Sequence, residues 1–151
     1  MRKLGCLMVI FLFAVACSDD GAVGAGDVYV SGYERDGSNA VAKYWKNGAA
    51  VSLTDGTLNA VAYSIAVSGG DVYVAGIESN GKKDVAKYWK NGAAVSLTDG
   101  TQSAYAYSIL VAGTNVHICG KEFNGTQYVA KYWKNGTTVS LTDGAHEANA
   151  R

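Results

Sequence analysis

The segment VAKYWKNGAAVSLTDG occupies Val41–Gly56 and returns unchanged at Val85–Gly100. It returns again at Val129–Gly144, with Thr137 and Thr138 replacing an Ala pair. Trp45, Trp89 and Trp133 are 44 residues apart, and Leu53, Leu97 and Leu141, like Glu34, Glu78 and Glu122, keep that interval. A fixed period of this length means that one supersecondary unit is built repeatedly, each copy burying a face against the next. Turn signals cut each repeat about every eight to twelve residues, which suits short antiparallel strands and excludes helical repeats.

The second repeat displays the unit. Tyr63–Ser68 (YSIAVS) ends at Gly69-Gly70, and Asp71–Ile77 (DVYVAGI) is closed by Glu78–Gly81. Val85–Lys90 (VAKYWK) then meets Asn91-Gly92, and Ala93–Thr98 (AAVSLT) is closed by Asp99-Gly100. Asn-Gly between alternating strands is a hairpin signal because both turn positions need positive φ, so Asn47-Gly48, Asn91-Gly92 and Asn135-Gly136 set the register of three hairpins. Asp55, Asp99 and Asp143 precede Gly and can accept a hydrogen bond from their own turn backbone. Tyr, Val and Trp favour half-buried pleated surfaces, while the 19 Gly serve turns, so the expected fold class is all-β.

In strand order the unit resembles the four-stranded β-propeller repeats of bacterial exported proteins, nearest to YVTN-type blades, over residues 21–144. The resemblance implies a partial β-propeller of three four-stranded antiparallel blades, at 27–56, 60–100 and 104–144. A degraded inner strand of the first blade falls at Asp20–Val23, in register with Ser64–Val67, within a tether spanning 17–26. Residues 145–151 form an expected frayed tail, whose Ala148–Arg151 aligns with Ala104–Tyr107. Closed rings usually have about four to eight blades. The possibilities are a homodimer or a trimer that completes a ring, or a truncated copy of a longer propeller.

The first residues read as an address. MRKLGCLMVIFLFAVAC has a basic start, an apolar run from Leu7 to Val15 and small residues before Cys17, the shape of a secretory signal too short to span a bilayer. It resembles a bacterial lipobox, although Ala14 stands where Leu is usual; the resemblance implies removal of residues 1–16 and lipidation of Cys17. The leader itself is expected to be helical or disordered. Ser18-Asp19-Asp20-Gly21 is similar to outer-membrane sorting and surface-export signals, or is a plain solvated tether. The expected location is the outer membrane, lipid-anchored, on its periplasmic or its outer side. Cys6 would leave with the leader, so Cys119 would have no disulfide partner. Loss of Arg2 and Lys3 leaves 11 basic and 13 acidic residues, which offers no footprint for nucleic acid.

In an up-and-down unit, the loop after the second strand and the connection after the fourth share one rim, and variation gathers there. Positions 35–40 read RDGSNA, then SNGKKD at 79–84 and FNGTQY at 123–128; positions 58–61 read LNAV, then QSAY and HEAN. Loops on a rigid scaffold carry recognition or simply tolerate drift. The candidate ligand-binding residues are therefore Arg35, Lys82, Lys83, Asp84, Gln102, Tyr105, Tyr128 and His146. The repeated tryptophans are assigned to the core between blades, the lysines to water, and the glutamates to backbone or lysine partners.

His117 and Cys119 point the same way on a strand but lack the further ligands of a metal site, so neither metal nor cofactor is expected. His146, Glu147 and Arg151 form the one non-repeating polar cluster. The expected function is a non-catalytic binding or scaffold module of the cell envelope, held to the membrane by lipid and recognising a protein or glycan. The alternatives are a propeller-type hydrolase or lyase, or a truncated copy without independent function.

Overall fold

The computed structural model describes residues 26–151. The leader, Cys17 and the strand expected at Asp20–Val23 lie outside the described residues. Within them every regular element is a strand, and the strands form three antiparallel sheets that do not close on one another. The first sheet holds β1 (Tyr29–Asp36), β2 (Asn39–Lys46) and β3 (Ala49–Ser52). The second holds β4 (Ala60–Ser68), β5 (Asp71–Ser79), β6 (Asp84–Lys90) and β7 (Ala93–Ser96). The third holds β8 (Ala104–Ala112), β9 (Asn115–Phe123), β10 (Tyr128–Lys134) and β11 (Thr137–Ser140).

The Asn-Gly turns take the conformation their sequence demands. Asn47, Asn91 and Asn135 have φ of 52°, 50° and 50°, and the glycines that follow are also left-handed. Each Asn performs a second task, because its Oδ1 accepts from a backbone N–H in the neighbouring strand or its approach: Val28, Val72 and Val116, at 2.9, 2.9 and 2.8 Å. Asp27 with Lys46 and Asp71 with Lys90 close the same end by ion pairs at 2.9 and 2.8 Å. At the opposite end Asn39 and Asn80 donate to the carbonyls of Gly56 and Gly100, tying the two loops of that rim together. The repeated glutamates pair across strands: Lys43–Glu34, Lys87–Glu78 and Lys131–Glu122. The constant residues of the repeat thus hold strand ends and register.

The sheets stack through one interface used twice. Tyr29, Ala42, Tyr44 and Leu53 of the first sheet cluster with Ala60, Ala62, Ile65, Val67, Val72, Val74 and Trp89 of the second. Tyr73, Ala75, Ala86, Tyr88 and Leu97, on the other face of the second sheet, cluster with Ala104, Ala106, Ile109, Val116, Ile118 and Trp133 of the third. Small side chains sit on the face that receives each indole, Ala42 for Trp89 and Ala75 with Ala86 for Trp133, leaving room for a ring between sheets that would otherwise stand too close. Trp89 and Trp133 are 1% and 0% exposed, whereas Trp45, on the outer face of the first sheet, is half-buried.

Four boundaries of the second repeat differ from the sequence expectation. β4 starts at Ala60, three residues before Tyr63, β5 runs on to Ser79 past Ile77, β6 starts at Asp84 before Val85, and β7 ends at Ser96 before Thr98; β8 likewise starts at Ala104. The early start depends on a β-bulge: pairing passes from Ala62–Gly76 to Ser64–Ala75, and from Ala106–Gly120 to Ser108–Cys119, leaving Tyr63 and Tyr107 as extra residues. The bulge breaks the period-two pattern on which strand assignment from sequence depends. The tail also departs from a frayed end. Ala148 and Ala150 donate from their backbone N–H groups to the carbonyls of Tyr128 and Gly120.

Candidate functional site

The bulges aim tyrosine rings at one surface. A bulge inserts one residue, bends its strand and re-aims a side chain. Here each bulge requires glycine on the neighbouring strand. A Cβ on Gly76 would lie 2.0 Å from the Val61 carbonyl oxygen, and one on Gly120 would lie 1.8 Å from that of Tyr105. Tyr63 and Tyr107 meet at 5.4 Å between ring centroids, Tyr107 stacks on Tyr105 at 5.9 Å, and Tyr105 meets Tyr128 edge-on at 5.9 Å. Phe123 continues the run, 5.3 Å from Tyr128. Cations lie over the run at two places, with the Lys121 ammonium 3.9 Å from the Tyr128 centroid and the Arg151 guanidinium 5.5 Å from that of Tyr107.

A cleft of about 430 Å³ opens beside this run, between the first and second sheets, lined by Tyr33, Arg35, Ala40, Asn59, Val61 and Tyr63. Its openness has a cause visible in the repeats. Moving the six lining positions forward by one repeat shrinks three, Tyr33 to Ile77, Arg35 to Ser79 and Asn59 to Ser103, keeps Tyr63 as Tyr107, and enlarges two, Val61 to Tyr105 and Ala40 to Asp84. Between the second and third sheets those larger side chains meet, the Tyr105 hydroxyl donating to Asp84 Oδ2 at 2.7 Å. The same junction is therefore bridged in one place and left as a cleft in the other. Asn59 supports the wall, its Oδ1 accepting from the Ala40 N–H at 2.9 Å. Arg35 donates through one guanidinium nitrogen to the Ser38 carbonyl at 3.1 Å. Its fork carries five N–H donors in all, a geometry matched to carboxylate oxygens.

The structure brings together some of the residues expected from sequence and separates others. Asp84, Tyr105 and Tyr128 share one cluster, although all three lie in strands and not in loops as expected. Arg35 lines the cleft at the other end of the tyrosine run. Lys82 and Lys83 are exposed in a turn built by Asn80, whose Oδ1 accepts from both of their backbone N–H groups. Gln102 is partly buried and His146 is exposed; neither joins the cleft or the ring contacts. Tyr33, Tyr63, Tyr107, Lys121 and Asn59 were missed. The available signal was the second-repeat reading YSIAVS, where a large residue starts a strand one position out of phase. Among the described residues, no three His, Cys, Asp or Glu side chains converge as metal ligands would.

The tyrosine hydroxyls carry a pH signature. Burial, then the nearby Tyr107, Asp84 and Tyr33, pushes Tyr63 well above the ordinary value of 10.0. Burial, followed by the hydrogen bond to Asp84, does the same to Tyr105. A raised native pKa means that the folded protein holds these protons more tightly than the unfolded chain. Their contribution is complete below pH 10.0 and is lost as pH rises above it toward the native values. Denaturant titrations at successive pH values should therefore show stability falling above pH 10, with part of the tyrosinate absorbance appearing only on unfolding.

No protein-family model matches the chain, and a search of curated proteins finds no match.

Proposed function

We propose that the protein is a non-catalytic recognition module of the β-propeller type, exported and lipid-anchored through Cys17 to the bacterial outer membrane, and that it binds glycans in the cleft between its first two sheets. The observation that carries the binding reading is the cleft itself, left open by Val61 and Ala40 where Tyr105 and Asp84 bridge the equivalent junction. Its volume lies within the range of about 300–1,000 Å³ occupied by small ligands and suits one or two sugar rings better than a folded partner. Tyr33 and Tyr63 supply amphipathic ring surfaces for stacking, Asn59 and the backbone supply hydrogen bonds, and Arg35 supplies a fork for an acidic substituent. The propeller reading is supported by the 44-residue period and by the sheets stacking through one repeated interface.

Calorimetric titration of a panel of neutral and uronate-containing oligosaccharides into the purified protein tests this. At least one oligosaccharide should bind, and Arg35→Ala and Tyr63→Ala should each weaken that binding about tenfold or more; the unfolding midpoint should stay near wild type for Arg35→Ala and fall for Tyr63→Ala, which also loses packing against Tyr107. Binding indifferent to both substitutions would remove the cleft from the account.

A further inference from the structure

We propose that copies of this chain associate head to tail, the outer face of the first sheet of one copy packing on the outer face of the third sheet of the next. The observation is that the outer face of the third sheet repeats the receiving half of an interface the chain already forms twice within itself. The three described strands of the first sheet repeat the part of the entering half that carries Val72, Val74 and Trp89; the counterpart of β4 and β8 lies outside the described residues. Leu97 is 8% exposed under the third sheet, while its equivalent Leu141 on the outer face of that sheet is 54% exposed. The half-buried Ala66 likewise becomes Leu110, at 63%. Tyr73, Ala75 and Ala86, which receive Trp133, correspond on the third sheet to His117, Cys119 and Ala130. At the other end of the stack, Val72 is 9% exposed and its equivalent Val28 is 49%. Val30 and Trp45, half-buried on the first sheet, correspond to Val74 and Trp89, each 1% exposed inside the stack.

The receiving face also carries a hollow. A dimple of about 180 Å³ is lined by Ser108, Leu110, His117, Ile118, Cys119 and Tyr132. By the internal precedent, the second copy's Trp45 would sit over Cys119 and Ala130, as Trp133 sits over Ala75 and Ala86. His117 replaces the tyrosine of the other copies and is held by Tyr132, its Nδ1 lying 2.5 Å from the hydroxyl. A face and its complement on opposite ends of one molecule make a heterologous contact, which yields a ring or a filament rather than a face-to-face pair.

The test is sedimentation velocity of the full chain in mild detergent over a wide concentration range, with peptide-resolved alkylation of Cys119 followed in parallel. The expected result is mass above one chain at high concentration, together with slower Cys119 alkylation. Leu141→Lys on the receiving face and Trp45→Ala on the entering face should each weaken association about tenfold or more, because each removes a buried apolar side chain from the contact. Circular dichroism checks that both variants remain folded. A single-chain mass at every concentration would overturn the proposal. Association insensitive to Trp45→Ala but lost with Leu141→Lys would also overturn it, since that pattern describes two third sheets meeting face to face. Cys119 protection that does not change with concentration would assign the face to a segment of the same chain and contradict the second copy.

Discussion

Trp89→Ala is expected to destabilise the protein by about 3–5 kcal/mol, the range for removing a fully buried large aromatic from a packed core. The indole lies between the first and second sheets at 1% exposure, within the cluster that includes Ala42, Val72 and Val74. Truncation removes its dispersion contacts and leaves a cavity that two sheets pinned at both rims collapse into only partly. The identical sequence context at Trp45 should give a distinctly smaller loss in dilute solution, because that ring covers an outer face. Trp89→Phe should cost less than alanine. It keeps one aromatic ring of the two, so the cavity is smaller, and deletes the indole N–H, which has no hydrogen-bond partner among the described residues. Urea titrations of the three variants, read by circular dichroism, rank the positions.

Gly76→Ala should be comparably severe for a different reason. A Cβ there would lie 2.0 Å from the Val61 carbonyl oxygen and 3.0 Å from the Ala62 Cα, both backbone atoms that cannot rotate away. Either β4 moves off β5 or the bulge at Tyr63 is lost, and a loss of about 3 kcal/mol or more is expected. Gly120→Ala should behave alike in the third sheet. Gly32→Ala should be milder, since its Cβ would meet the edge of the Trp45 ring at 3.1 Å, a side chain that can shift. The bulge prediction bears on the site as well: a Gly76→Ala protein that still folds should lose binding in the cleft, because Tyr63 is aimed by the bulge.

The strands, hairpins and stacking faces could be read from the sequence because local chemistry dictates them. Asn-Gly directly between two alternating strands gives the left-handed turn at Asn47, Asn91 and Asn135, whereas Asn80 and Asn124, which also precede Gly, do not take positive φ. The repeated Trp lies between sheets at Trp89 and Trp133 but on an outer face at Trp45. The site was only partly legible. Arg35, Asp84, Tyr105 and Tyr128 stand out as changes among near-identical repeats, and comparison of repeats found them. It could not pair Tyr105 with Asp84, because that contact joins adjacent sheets at residues 21 apart and is not repeated. Nor could it find Tyr63 and Tyr107, which alternation assigns to ordinary strand positions until the bulge is known. Lys82, Lys83 and His146 vary as freely as the cleft residues, and variation alone cannot separate a tolerant turn from a lining residue.

The same comparison supplies the most direct measurement. The Ala40→Asp, Val61→Tyr double variant installs at the first junction the side chains that meet at the second, where the hydroxyl and carboxylate lie 2.7 Å apart. Calorimetric titration of the oligosaccharide that binds best to the wild-type protein into this variant should show binding lost, with the unfolding midpoint unchanged or higher. Full-affinity binding to a folded double variant would contradict the account, placing recognition somewhere other than the cleft.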